Sequence, residues 1–89
     1  MKTYRFVVKG KVQGVYYRKN ICTSALKEGF VGYVRNLPNK DVEAICNLDT
    51  SNFNSFISIL EKGSVDSVVD EITKEEMEYQ EFKDFEIRY

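Results

Sequence analysis

Two spacings of apolar residues alternate along this chain, and their order limits the folds that it can adopt. Near the start, apolar side chains recur at every second position, which predicts a strand from Thr3 to Gly10. They recur at helical spacing between Ile21 and Leu26, and Gly29 is placed to end that helix in a left-handed conformation. The chain therefore begins with a strand, a connection and a helix.

Two further strands and a second helix are predicted downstream. The period of two returns from Phe30 to Arg35 and from Val42 to Leu48. Because turn-forming residues, Leu37 to Asp41, separate these segments, the two strands are predicted to pair as a hairpin. The second helix is predicted from apolar residues at positions i, i+3, i+4 and i+7, followed by a glycine: Phe53, Phe56, Ile57, Leu60 and then Gly63.

The last third of the chain predicts two more strands. A less regular strand spans Val65 to Ile72, and a short one lies between Phe85 and Tyr89, with a loop over Met77 to Lys83 between them. The acidic residues from Asp70 to Glu78 are interpreted as part of a solvated loop rather than as a metal site. The order β-α-β-β-α-β, with one final strand, predicts an α+β ferredoxin-like sandwich. In it, two helices pack on one face of a largely antiparallel sheet of four to five strands.

Length, charge and cysteine content narrow the class of protein. The 89 residues fit one domain covering 1–89, and 43% apolar residues suffice for one core. A net charge of −1 argues against broad nucleic-acid binding, and no apolar run approaches the ~20 residues of a membrane span. Cys22 and Cys46 lack metal-ligand spacing, and the chain has no histidine and no leader-like segment. We therefore expect a reduced, cytoplasmic monomer that contacts neither nucleic acid nor membrane.

The connection between the first strand and the first helix, Gly10 to Arg18, has the composition of an anion site, and we call it the glycine loop. Its two glycines allow tight backbone turns, and Arg18 supplies a permanent, forked positive charge near a helix N-terminus. Phosphate would be bound by this arginine and by successive backbone amides, those of Gln13, Gly14, Val15, Tyr16 and Tyr17. Chemistry alone leaves a simpler alternative, in which the glycines only shorten a connection and the arginine is a surface charge.

Two segments of the chain resemble the signatures of one family. The glycine loop reads Gly-Lys-Val-Gln-Gly-Val-Tyr-Tyr-Arg, which matches every fixed position of G-x-V-Q-G-V-x-[F/Y]-R, the first signature of the acylphosphatase family. Gly32 to Asn36, an aromatic-bearing strand that ends in asparagine, resembles the core of the second signature. The spacing of the two segments, the second helix and the ending Phe-Glu-Ile-Arg-Tyr also fit, so the resemblance covers essentially the whole chain.

The resemblance implies an enzyme that hydrolyses acyl phosphates, the mixed anhydrides of a carboxylic acid and phosphate. It implies that Arg18 and the loop amides bind the phosphate and that Asn36 orients the attacking water. Phosphoryl transfer to water depends mainly on positioning and charge stabilisation, and a carboxylate leaves readily. We therefore expect no cofactor and no metal, with an acyl phosphate and inorganic phosphate as the small-molecule partners.

Three positions depart from the family pattern. Lys40 and Leu48 stand where the second signature carries glycines, and Tyr33 stands where tryptophan is frequent. A left-handed lysine would cost roughly 1 kcal/mol relative to glycine, unless Asn39 takes the left-handed position in a differently shaped turn. We expect activity to survive, because none of these changes replaces Arg18 or Asn36.

Two other functions fit the same fold. One is a catalytically weak module that binds an anion or a phosphorylated metabolite. The other is an RNA- or protein-interaction domain in which Tyr16 and Tyr17 act as stacking surfaces. Near-neutral charge and the lack of a basic-aromatic RNA motif favour packing roles for these tyrosines instead.

Overall fold

Seven elements follow one another in the computed structural model, which describes residues 1–89. They are β1 (Lys2–Lys11), α1 (Tyr17–Glu28), β2 (Gly32–Asn36), β3 (Val42–Leu48), α2 (Phe53–Lys62), β4 (Val68–Met77) and β5 (Phe85–Arg88). Their order confirms the predicted ferredoxin-like α+β fold, with a fifth strand added to the βαββαβ core.

The five strands form one sheet in the order β4-β1-β3-β2-β5. All neighbouring strands are antiparallel except β2 and β5, which run parallel. Val42 of β3 pairs with Val8 of β1 on one side and with Asn36 of β2 on the other. The glycine loop, which begins at the end of β1, and the hairpin turn after Asn36 therefore leave the sheet at the same end.

The core lies between the helices and one face of the sheet. Strand β3 is buried along its whole length because strands flank it on both sides. Alternate strand residues point toward the helices, as the period of two predicts, and meet buried apolar residues of α1 and α2. The largest members of this core include Phe6, Tyr17, Ile21, Val34, Leu48, Phe56 and Leu60.

The opposite face of the sheet, which we call the open face, is covered by ion pairs. The Glu43 carboxylate of β3 accepts hydrogen bonds from Arg5 of β1 (2.5 Å) and Arg35 of β2 (2.7 Å). Burial alone would raise the pKa of Glu43, but the hydrogen bonds from the two arginines outweigh it and hold this pKa below its ordinary value. This network lets a glutamate occupy a buried position in the middle of the sheet.

Several predicted boundaries differ from the structure. Strand β2 begins at Gly32 rather than at Phe30, whose amide instead bonds the carbonyl of Ala25 after α1. The fourth strand spans Val68–Met77 rather than Val65–Ile72, so the acidic stretch lies mostly on a strand and not in a loop. As an edge strand with one hydrogen-bonded neighbour, β4 carries mostly exposed charged residues, which hide the apolar period. No group of three or more carboxylates, cysteines or histidines converges as a metal site would require.

The ends of the two helices follow the predictions. Gly29 is left-handed (φ 79°) and directly follows α1, and Gly63 directly follows α2. Leu26, predicted to lie on the buried stripe of α1, is instead 51% exposed. Cys22 and Cys46 are both free thiols, and burial raises the pKa of Cys46. Neither helix has the length and apolar character needed to cross a membrane.

Candidate active site

The two glycines of the glycine loop are required for different reasons. Gly10 has a φ of 132°, and a Cβ at this position would lie 2.1 Å from the carbonyl oxygen of Val68 in β4. Gly14 has a φ of 74°, but a Cβ there would meet no atom within 4 Å. Gly10 therefore allows the sheet to close against β4, whereas Gly14 supplies a left-handed turn beside open space.

The two consecutive tyrosines of the loop have opposite environments. Tyr16 adopts a left-handed conformation (φ 61°, ψ 20°) immediately before α1, and its side chain is 76% exposed. Tyr17 begins the helix, is 1% exposed, and donates its hydroxyl hydrogen bond to the carbonyl of Leu60 in α2 (2.7 Å). Only the backbone amide of Tyr17 can therefore face a ligand, while the ring of Tyr16 projects from the surface.

Arg18 lies in the first turn of α1 with an unpaired guanidinium. The six ion pairs of the structure involve other residues, and no side-chain hydrogen bond engages Arg18. Its Cζ atom lies 5.1 Å from the ring centroid of Tyr89, which is within cation–π range. The donors of the guanidinium are thus available to an anion, and they lie in a cleft of about 660 Å³ that Gly14 and Tyr16 also line.

Asn36 ends β2 and carries an unsatisfied polar atom. Its Oδ1 atom is buried and has no hydrogen-bond partner within the protein. No other side-chain nitrogen or oxygen in the structure is both buried and unpaired. Leaving a buried acceptor unpaired costs about 1–3 kcal/mol, so the structure holds this side chain at a cost in stability.

The side chain of Gln13 joins the glycine loop to the hairpin turn (Leu37–Asp41). Its Nε2 atom donates to the carbonyl of Leu37 (3.0 Å) and to the carbonyl of Asp41 (2.8 Å). Leu37 directly follows Asn36. The sequence interpretation assigned Gln13 only a backbone amide role, and no pattern in the sequence indicated that its side chain would bridge to this turn.

The hairpin turn is held in shape by its own polar residues. The Asp41 carboxylate pairs with Lys9 of β1 (2.8 Å) and accepts a hydrogen bond from the Asn39 side chain (3.1 Å). The hydrogen bond to Asp41 raises the pKa of Lys9. Lys40 itself is left-handed (φ 77°), so the alternative in which Asn39 takes that conformation is wrong. The other departure, Leu48, is a fully buried core residue at the far end of β3.

Backbone strain is concentrated in the glycine loop and in the hairpin turn. Tyr16 and Lys40 are the two residues other than glycine that have a positive φ. Such conformations cost of order 1–3 kcal/mol each and cluster at functional sites. One lies in the glycine loop and the other in the turn that follows Asn36.

The loop between α2 and β4 supports the glycine loop from a third direction. The hydroxyl of Ser64 donates a hydrogen bond to the carbonyl of Val15 (2.7 Å). A Cβ at Gly63 would lie 2.5 Å from the ring of Tyr17, so this glycine permits close approach of the two segments. This support was not predicted from the sequence, because it joins residues that are far apart in the chain.

Asn36 and Arg18 each lie next to the end of β5. Arg35 of β2 pairs with Arg88 of the parallel strand β5. Asn36 and Tyr89 are the residues that directly follow this pair. The ring of Tyr89 in turn lies beside the guanidinium of Arg18. The cleft is lined by the glycine loop, the start of α1 and the end of β5, and Asn36 is not among its lining residues.

Comparison with known proteins places this fold in a defined class. The family model for acylphosphatase matches residues 4–87. An acylphosphatase of Vibrio parahaemolyticus serotype O3:K6 is 37% identical over 87 residues, covering 98% of this chain and 97% of the relative. An acylphosphatase of Vibrio vulnificus is 41% identical over 83 residues, covering 93% of this chain and 92% of the relative.

The solved structures agree with the sequence relatives. The crystal structure of acylphosphatase from Bacillus subtilis superposes with a TM-score of 0.92 at 32% identity and covers 100% of both chains. The class is thus that of small ferredoxin-like hydrolases, and the chain belongs to the acylphosphatase family. Membership supports the hydrolysis of acyl phosphates in general terms and confirms the resemblance noted from the two signatures.

Proposed function

We propose that this single-domain protein hydrolyses the carboxyl–phosphate bond of acyl phosphates to a carboxylate and inorganic phosphate. In this proposal the glycine loop binds the phosphate and Asn36 orients the water. The observation that carries it is the buried, unpartnered Oδ1 of Asn36 beside the turn that Gln13 joins to the glycine loop. The side chain as a whole is half-buried, and its amide group, which has no partner in the protein, is available to hold a water molecule beside the phosphate.

The phosphate is bound by charge and by backbone donors. The unpaired guanidinium of Arg18 supplies a forked, permanent positive charge. The backbone amides from Gln13 to Tyr17 approach the first turn of α1, where the helix dipole also favours an anion. These donors neutralise the equatorial oxygens of the phosphoryl group, whose charge is redistributed in the transition state.

The reaction needs no residue that is itself chemically changed. The water oxygen forms a bond to phosphorus while the bond between phosphorus and the carboxyl oxygen breaks, and that bond's electron pair leaves with the carboxylate. One water proton stays on the attacking oxygen and the other passes to a phosphate oxygen. An acyl phosphate dianion and water thus give a carboxylate and dihydrogen phosphate, with atoms and charge balanced. The protein contributes position and charge stabilisation.

Location and assembly are part of the same proposal. The two free thiols fit a reducing compartment such as the cytoplasm. The open face of the sheet carries paired charges rather than an apolar surface, which fits a monomer. Small-molecule substrate and product are the proposed partners.

Hydrolysis of acetyl phosphate, followed by loss of the acyl phosphate, tests this function. We expect turnover by the unmodified protein, and losses of at least about 100-fold in kcat/KM for Arg18→Gln and for Asn36→Ala, as for removal of one transition-state donor. Lys27→Gln, which removes a charge from the last turn of α1 rather than the first, is the matched control for charge and should retain activity. Absence of turnover together with Arg18-dependent binding of inorganic phosphate would instead indicate an anion-binding module.

A further inference from the structure

The glycine loop carries backbone amides that have no partner within the protein. None of the N–H groups from Gln13 to Tyr16 donates a hydrogen bond to a backbone or side-chain acceptor. Four free donors in succession, close to the unpaired guanidinium of Arg18, are what an oxyanion requires. A phosphate can accept only from the amides that point toward it, so the orientation of each peptide group in the loop matters.

One of these peptide groups is fixed from outside the loop. The hydroxyl of Ser64 donates to the carbonyl oxygen of Val15 at 2.7 Å. The carbonyl of Val15 and the amide of Tyr16 belong to one planar trans peptide group and therefore point in opposite directions. The cleft that contains Arg18 is lined by Tyr16 but not by Val15 or Ser64. This arrangement fits an amide that faces the cleft while its carbonyl is held on the opposite side.

The backbone conformation of Tyr16 makes this control necessary. Tyr16 is left-handed (φ 61°, ψ 20°), and the next residue, Tyr17, begins the right-handed helix α1. Alternation of left- and right-handed backbone turns successive amides toward one side, which forms the concave anion site called a nest. A left-handed tyrosine costs about 1–2 kcal/mol and persists only where surrounding contacts hold it. Ser64 holds the peptide group before Tyr16, and the amide of Asn20 holds the carbonyl after it at 3.1 Å.

Ser64 is itself held in place. Its amide donates to the hydroxyl oxygen of Ser67 at 2.9 Å, and that hydroxyl donates to the carbonyl of Ser64 at 2.9 Å. The preceding residue, Gly63, packs so closely on Tyr17 that a Cβ there would lie 2.5 Å from the ring. The hydroxyl of Ser64 therefore approaches the glycine loop from a fixed base, unlike a freely rotating surface side chain.

We propose that Ser64 is a positioning residue for phosphate binding, whose hydroxyl holds the Val15 carbonyl so that the Tyr16 amide faces the phosphate. This inference rests on the proposed function and adds to it a residue that touches neither the phosphate nor the water. It also explains why the chain keeps a strained backbone at Tyr16, since the strain orients a phosphate donor.

Phosphate titrations followed by amide NMR test this role, because they report on each loop amide separately. In the unmodified protein, saturating inorganic phosphate should shift the amide resonances of Gly14 and Tyr16. Ser64→Ala should lose most of the Tyr16 shift and keep that of Gly14. We expect the inhibition constant of phosphate to rise about 3- to 10-fold in this variant, as for loss of one hydrogen bond. Its kcat/KM for acetyl phosphate should fall at least as much, chiefly through KM.

Two further variants separate positioning from stability. Ser64→Thr retains a hydroxyl and should behave as the unmodified protein in all three measurements. Ser51→Ala is the matched control, because it also removes one serine hydroxyl that donates a hydrogen bond, in this case to Asp49 before the start of α2. It should leave phosphate inhibition and turnover unchanged.

Three results would overturn the inference while the proposed function stands. The first is a Ser64→Ala variant that is less stable but binds phosphate normally. The second is an equal loss of the Gly14 and Tyr16 shifts, which would show that the whole loop has lost its shape. The third is a Tyr16 amide that ignores phosphate in the unmodified protein while that of Gly14 responds. If the unmodified protein neither hydrolyses acetyl phosphate nor shows a response of any loop amide, the proposed function fails and this inference fails with it.

Discussion

Replacing Gln13 by alanine removes both hydrogen bonds that join the glycine loop to the hairpin turn. Each is well formed, at 3.0 Å to the carbonyl of Leu37 and 2.8 Å to the carbonyl of Asp41. At about 0.5–1.5 kcal/mol for each bond, the free energy of unfolding should fall by about 1–3 kcal/mol. The turn keeps its shape in part, because the Asn39 and Lys9 contacts to Asp41 remain.

The effect on turnover should be larger than the effect on binding. Asn36 directly precedes Leu37, so loosening the turn displaces the group proposed to hold the water. A displacement of about 1 Å can cost as much as 100-fold in rate, and we expect kcat to fall about 10- to 100-fold. The backbone amide of residue 13 persists in the variant, so the inhibition constant of inorganic phosphate should change less than about threefold if each donor contributes modestly.

Steady-state hydrolysis of acetyl phosphate, phosphate inhibition and urea unfolding measure the three quantities. Gln80→Ala is the matched control, since Gln80 is the other glutamine of the chain, is exposed, and uses only its backbone in hydrogen bonds. A Gln13→Ala variant with unchanged kcat would refute the positioning role. So would one whose phosphate affinity falls as much as its kcat.

Further predictions concern the strain, the sheet and the support of the loop. Lys40→Gly relieves a left-handed lysine and should raise the free energy of unfolding by about 0.5–1 kcal/mol, after the entropy cost of glycine, in urea titrations; a loss of stability would contradict this. Glu43→Gln should lower the free energy of unfolding by about 1–3 kcal/mol at pH 7. Because the pKa of Glu43 is lower in the folded than in the unfolded state, this difference should shrink as the pH falls below about 4, and a difference that persists at pH 3 would contradict it. Tyr17→Phe leaves the carbonyl of Leu60 unpaired near the end of α2 and should lower the melting temperature by several degrees, from a loss of about 1–2 kcal/mol.

The sequence was most informative where one face of an element is buried and the other is not. The apolar spacing of Phe53, Phe56 and Leu60 predicted α2, and Gly63 predicted its end, because a two-layer fold gives such a helix one buried face. The same rule failed for β4. An edge strand needs few buried residues, so its period was obscured by charges, and the apolar Val65 proved to be 98% exposed in the preceding turn.

The residues proposed for the site could be named from the sequence, but the contacts that support them could not. The two signatures indicated Arg18 and Asn36 as the residues to consider; in the structure Arg18 lines a cleft with Tyr89, and Asn36 ends the strand that pairs with β5. The contacts of Gln13 and Ser64 to the turn and the loop join segments 24 to 49 residues apart. Such contacts depend on tertiary packing and leave no periodic pattern in the chain.

The turn after Asn36 illustrates a different limit. From the sequence, either Lys40 or Asn39 could occupy the left-handed position, since asparagine tolerates it better. In the structure, Asn39 uses its side chain to bond the amide and carboxylate of Asp41, which leaves Lys40 to adopt the strained conformation. A local preference was outweighed by hydrogen bonds that the turn as a whole makes.

Inorganic phosphate inhibition of the Arg18 and Asn36 variants tests the central claim most directly. In the proposed function Arg18 binds the phosphate, and Asn36 orients the water without contacting the phosphate. Arg18→Gln should therefore raise the inhibition constant of phosphate at least about tenfold, as loss of a charge-assisted hydrogen bond predicts. Asn36→Ala should keep that constant within about twofold while losing most of kcat. If phosphate binds the Asn36 variant as weakly as it binds the Arg18 variant, the proposed division between phosphate and water is contradicted.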